Sequence, residues 1–251
     1  MSKLHQLLAV EKDRKRKATN VLQETKKVFS TKKDHFDGFV KEFKATVENA
    51  PQVQKEQKEL VTSVYEKLDH TFNILTDAMD LTVSKEETNS TADASAVVVV
   101  DGKEFGKFCA TSLLAMEGYF EQVLGLIKEI PTLDSTHKWE KNPDRDDIKQ
   151  LAEAEIQYKT AKRSQPVVLY QATKEHPAQV QMETYDEQIG FWETMKTTGR
   201  LTPREKTEML DRIENVLEAV KIARAEANGV KVVESKQSGA MLNYVLTGNK
   251  K

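Results

Sequence analysis

Apolar positions along the chain recur mostly at steps of three and four, the period of an amphipathic helix. Leu4, Leu8, Ala18, Leu22 and Phe29, with Leu7, Val21 and Val28 beside them, predict a first helix over Leu4 to about Phe29. Glu11 and Lys15 fall where that stripe should continue, so its hydrophobic face is interrupted for two turns. Thr31-Lys32-Lys33-Asp34 has the form of a helix start. Phe36, Phe39, Val40, Phe43 and Val47 then predict a second helix that ends before Pro51. A third stripe is Val61, Val64, Leu68, Phe72, Leu75, Met79 and Thr82. A fourth is Cys109, Leu113, Met116, Phe120, Val123, Ile127 and Ile130, closed by Pro131. Between these two, Lys85–Ser95 reads as a polar connector. Val97–Val100, Asp101-Gly102 and Lys103–Phe105 read as a hairpin, because Asp-Gly accepts the positive φ of a tight turn.

The pattern changes after Pro131. Thr132–Asp147, with Trp139 and the turn signal Asn142-Pro143-Asp144, marks a boundary. Ala154, Ile156, Tyr158 and Thr160 alternate as a half-buried strand, while Ile148–Tyr158 also fits a helix. Pro166–Tyr170 is a strand by composition, and Val180–Thr184 and Ile189–Met195 supply two more, connected by Tyr185–Gln188. Thr202-Pro203-Arg204-Glu205 is a capping box with proline in the first turn. It opens a helix through Leu210, Ile213, Leu217, Val220 and Ala227 that Asn228-Gly229 closes. The expected fold is α+β: an N-terminal bundle of about four helices, then a small antiparallel sheet packed by a long C-terminal helix. The corresponding domains are 1–131 and 132–233, followed by a polar tail, 234–251, in which Ala240–Leu246 is apolar enough to dock.

The segments Pro166–Gln179 (PVVLYQATKEHPAQ), Ile130–Asp134 (IPTLD) and Thr202–Ala227, together with Leu4–Val10 and Phe29–Phe39, resemble a family of uncharacterised bacterial proteins. The resemblance implies an intracellular protein of unknown function, helical first and mixed afterwards. It implies no catalytic residue and no cofactor.

Charge changes the picture locally. The 251 residues sum to −2. Residues 1–33 hold ten lysines and arginines against three acids, a net of +7, so the remainder carries −9. Lys12, Arg14, Lys15, Arg16 and Lys17 are therefore the candidate contact for an anionic partner, nucleic acid included. No aromatic residue interleaves them, which argues against stacking on single strands. A solvated helix face, or contact with an acidic region of a neighbouring subunit, is the plainer expectation.

Candidate chemistry is sparse. His35, Glu66, His70 and Asp77 lie on neighbouring predicted helices, as in metal sites of bundles, but lack the Glu-x-x-His spacing of di-iron proteins. His70 also falls away from the Leu68–Phe72 stripe. Glu175-His176-Pro177 follows a strand end, where His176 would more often shape a turn than act as a base. Tyr170, Trp139 and Trp192 are expected in a sheet core. The single cysteine, Cys109, lies on an apolar stripe and is expected to be buried. No stretch is long and apolar enough to span a bilayer, and the N-terminus lacks the order of a signal peptide, so the expected location is cytoplasmic. Three functions follow. The first is a non-enzymatic interaction protein that self-associates through its long helices. The others are a nucleic-acid binder using the basic helix and a metal-dependent or acid–base enzyme.

Overall fold

A computed structural model of the protein describes residues 4–48, 50–90, 95–172 and 176–229. The tail 234–251 lies outside them, as do Glu175 and the side chains of residues 4–7. The fold is mixed α+β. Its helices are α1 (Leu4–Thr31), α2 (Val64–Asn89), α3 (Ala110–Lys128) and α4 (Pro203–Ala227). The strands are β1 (Asp37–Ala45), β2 (Glu56–Lys58), β3 (Ser95–Val100), β4 (Lys103–Cys109), β5 (Trp139–Lys141), β6 (Lys149–Leu151), β7 (Glu155–Tyr170) and β8 (Gln179–Thr198).

Among the described residues two compact units form, one from 4–14, 77–90, 95–124 and 211–229, the other from 15–48, 50–76, 125–172 and 176–210. Each of the four helices contributes a length to both. In the first unit, β3 and β4 form the expected hairpin. Asp101 and Gly102 take φ of 49° and 78° at its turn. Ala96 and Val98 of the hairpin pack with Leu113 and Met116 of α3 and with Val220, Ala223 and Ala227 of α4. The distal half of α4 thus packs on this hairpin and on α3. The interruption of the α1 stripe is also resolved here. Glu11 accepts from Lys85 of α2 at 2.9 Å, with both side chains largely sequestered, and Arg14 donates to Asp77 at 2.9 Å. Hydrogen bonds to Glu11 and Glu86 outweigh the opposing effect of burial and hold the Lys85 ammonium above its ordinary pKa.

The second unit contains a six-stranded antiparallel sheet ordered β2-β1-β8-β6-β5, with β7 on β8. The expected N-terminal bundle of about four helices does not form, because 37–45 is a strand. Phe39 and Phe43 are four residues apart, an even step as well as a helical one, so the stripe fitted both periods. Gly38 decides between them. A Cβ there would lie 2.8 Å from Thr197 Oγ1 and 2.9 Å from Lys58 O, so the β1 backbone fits against its neighbours only as glycine. Thr31 ends α1, its hydroxyl donating to Lys27 O at 2.7 Å, and a 3-10 turn over Lys33–Phe36 leads into β1.

The sheet is also larger than expected. Val180–Thr184 and Ile189–Met195 belong to one strand, β8, which runs through the residues read as a connection. β8 pairs with β1 over Gly190–Thr198 and with β7 over Gln179–Thr194. Lys159 faces Gly190 and Thr160 faces Gln188, so Ile189 is the extra residue of a bulge. The bulge turns Ile189 into the core.

Helix ends are satisfied by reciprocal capping. Thr202 N–H and Oγ1 donate to Glu205 Oε2 at 2.6 and 2.8 Å, and Glu205 N–H donates back to Thr202 Oγ1 at 3.1 Å. Ser63 and Glu66 repeat the arrangement on α2 at 2.9 and 3.2 Å. Lys206 Nζ donates to Lys128 O and Ile130 O, covering carbonyls at the end of α3. Burial pushes the Glu205 pKa up, but its bonds from Thr202 and from Lys149 at 3.0 Å outweigh burial and hold it below the ordinary value. A carboxylate lowered in the folded state stabilises fully above its unfolded pKa, about 4.3, and less as pH falls through the folded value. Glu205→Gln retains a capping side chain but not the charge. Its stability, measured by urea unfolding at neutral pH and below pH 4, is expected to fall less with acid than that of the parent.

Candidate functional site

The basic run lies on α1. Lys12, Arg14, Arg16 and Lys17 are exposed and Lys15 is half-buried. Arg14 is held by Asp77, and Lys15 and Arg16 also have interactions within the chain.

The residues considered for a metal site have other roles. Glu66 caps α2 and accepts from Arg145 Nη2 at 2.7 Å. The Ser63 N–H outweighs burial and, with Arg145 and Thr62, holds the Glu66 carboxyl below its ordinary pKa. Asp77 is paired with Arg14, His70 is exposed, and His35 is half-buried before β1. Among the described residues, no three His, Cys, Asp or Glu side chains gather as metal ligands. His176 is exposed and has an interaction of its own.

Cys109 is 2% exposed, matching the expectation of a core residue. It precedes the first residue of α3, and its N–H donates to Glu87 Oε1 at 2.8 Å. Burial pushes the thiol up, while hydrogen bonds with Ser112 and Thr111 outweigh it and hold the pKa below the ordinary value. Its lowered pKa favours thiolate, but burial denies a reagent access.

A cleft of about 330 Å³ lies in the second unit, where the 133–139 loop meets the ends of β1 and β8. Asp37, His137, Trp139, Lys196 and Arg200 line it. Arg200 is ion-paired with Asp37, whose other oxygen accepts from Thr198 Oγ1 at 3.0 Å. Glu155 Oε1 accepts from Lys196 at 2.6 Å and lies 3.3 Å from His137 Nε2. The His137 and Trp139 rings meet edge to face with centroids 6.1 Å apart. Arg200 is therefore paired with Asp37, and Lys196 with Glu155, whose oxygen it shares with the His137 ring. Thr198, a hydroxyl of the lining, donates to Asp37, but it is only 1% exposed and the carboxylate is also ion-paired with Arg200. The cleft offers hydrogen bonds and a ring face, and in its hydroxyl–carboxylate pair Thr198 is buried and Asp37 is held in the Arg200 ion pair. The sequence carried no local sign of it, because β1–β8 pairing assembles it from positions up to 163 residues apart.

The apolar surface lies elsewhere. Past the Ile189 bulge, β7 and β8 continue as a two-stranded ribbon to Tyr170↔Gln179, beyond the last β1 pair at Ala45↔Gly190. Val168 is 53% exposed, Val180 53% and Met182 61%, and Leu169, Tyr170 and Tyr185 are exposed too. Tyr170 is thus surface, contrary to the expectation of a sheet core, whereas Trp139 and Trp192 are half-buried. The helical stripes, by contrast, are largely buried within the chain, as at Leu22, Phe29, Leu68, Leu113 and Leu217. Among the described residues, no helix is long and apolar enough to cross a membrane.

No curated protein and no solved structure matches the chain. A family pattern does match, over residues 1–249, nearly the whole length. The chain belongs to the family of unknown function DUF7873.

Proposed function

We propose that this chain is a non-enzymatic interaction protein that self-associates, in the bacterial cytoplasm. The observation that carries the reading is the concentration of exposed apolar side chains on the β7–β8 ribbon. A two-stranded hairpin is marginal by itself in water, and contiguous apolar surface on a soluble chain marks a contact site. Sequence alone points to the long helices for that contact. Exposed apolar positions on them, such as Leu114 and Ile222, are scattered, so the ribbon has the stronger support. The catalytic alternative has little, since the cleft pairs its charges and Cys109 is inaccessible. The anionic-partner alternative rests on Lys12, Arg14, Lys15, Arg16 and Lys17, and is weakened by the partners that Arg14, Lys15 and Arg16 already have. Light scattering of the full chain at two concentrations about a hundredfold apart tests the reading. The expected result is a mass that rises with concentration; a monomer throughout overturns it.

A further inference from the structure

From Thr160↔Gln188 to Val168↔Val180 the ribbon has no third strand on either edge among the described residues, and most of its side chains are exposed. Alternation separates its two faces. One carries Arg163, ion-paired with Glu187 at 2.8 Å, beside half-buried Ala161 and Val167. The other carries Lys162 opposite Asp186, Pro166 opposite Met182, and Val168 opposite Val180, all of them exposed. This second face joins the apolar end of the ribbon to one opposite-charge pair nearer its base.

We infer that this face is covered by the same face of a second copy of the chain, with a two-fold axis running along the ribbon. The inference rests on the self-association proposed above and names its surface and symmetry. Such an axis lays β7 of one copy over β8 of the other. Every cross-strand pair then recurs between copies: Lys162 over Asp186, Pro166 over Met182, Val168 over Val180. Charge and apolar surface match without any further adjustment. Three pairs of strand positions beyond the bulge would not suffice alone, but the whole face is about 30 Å long by 10 Å wide. Its footprint is about 300 Å² per copy, about 600 Å² for the pair, the size of a weak and transient contact. Association is therefore expected in the micromolar range. The ribbon's balance of Lys162 and Arg163 against Glu183, Asp186 and Glu187 disfavours nucleic acid as the occupant.

Lys162→Glu and Asp186→Lys test the geometry. Alone, each variant sets like charges against each other across the two-fold, twice per dimer. Mixed, a Lys162→Glu chain meets an Asp186→Lys chain with both contacts complementary. The cross-strand mismatch inside each chain is the same in pure and mixed samples, so repair of the fold cannot produce any recovery. Native mass spectrometry and sedimentation of the full chains are expected to show parental dimers and about fivefold weaker association of each variant alone. In the mixture, heterodimers should form in excess of either homodimer. A parental dimer with no preference for heterodimers overturns this face and leaves self-association standing. A parent that stays monomeric overturns both. Met182→Lys supplies an independent check should the charge variants fold poorly: it is expected to abolish the dimer, and a retained dimer overturns the inference.

Discussion

Gly190→Ala is expected to destabilise the protein by about 3 kcal/mol, the upper part of the range for overfilling a packed site. Gly190 sits on β8 beside the bulge, where β1, β7 and β8 meet. A Cβ added there would lie 2.6 Å from Lys44 O and closer still to the Phe43 ring. A flexible side-chain end can move aside, but the carbonyl belongs to the β1 backbone, so relief requires the strand itself to shift. Phe43 packs on Trp192 with ring centroids 5.3 Å apart, which makes tryptophan fluorescence a local report of that shift. The expected observation is a lower urea midpoint together with altered native emission. Gly118, in α3, provides the contrast, because a Cβ added there would meet no neighbouring atom within 4 Å. Gly118→Ala is expected to stabilise by about 0.5–1 kcal/mol, because alanine is the better helix former and restricts the unfolded chain. Opposite signs from the same substitution separate close packing from intrinsic propensity.

The difference between these glycines also explains what the sequence could and could not convey. Long stripes identified α2 and α3, because a helix shielded on one face leaves a repeating record of that shielding. Thr202 and Glu205 marked the start of α4, since capping is local in the chain. Asp101-Gly102 marked its turn for the same reason. Where burial does not follow one period, the record fails. Burial does not alternate cleanly along β1, with Phe39 and Phe43 half-buried on one face and Val40 exposed on the other, so Phe36, Phe39, Val40 and Phe43 left a pattern that a helix could equally have produced. The outer part of β8 is exposed on both faces, so Tyr185–Gln188 looked like a connection. The cleft was illegible for another reason: Asp37, Trp139 and Arg200 converge only through strand pairing, and no spacing along the chain encodes that. The polar break in α1 was visible, but its cause was Lys85 on α2, far away in sequence.

Phe29→Ala and Phe36→Ala are each expected to cost about 3–5 kcal/mol. Both side chains are fully buried, and neither can be replaced by water without leaving an apolar void. Phe29 lies in the last turn of α1 and Phe36 ends the short turn before β1, so the pair fixes the reversal from helix to strand. Their rings are tilted by 51° with centroids 5.7 Å apart, inside the range where aromatic pairs attract beyond their buried area. The double variant is therefore expected to cost less than the sum of the single ones, by about 0.5–1.5 kcal/mol. The backbone gives the contact its wider consequence. Val61 and Thr62 N–H groups donate to His35 O, and Gly199 N–H donates to Phe36 O at 2.9 Å. The residues beside and at Phe36 thus hold the approach to α2 and the end of β8 as well as β1. Loss of its ring should loosen all three. Urea unfolding of the four proteins of the cycle measures the coupling, and amide exchange at Val61, Thr62 and Gly199 tests the spread. Additive costs, with unchanged protection at those amides, would mean that the rings merely fill space and that the reversal is held by its backbone bonds alone.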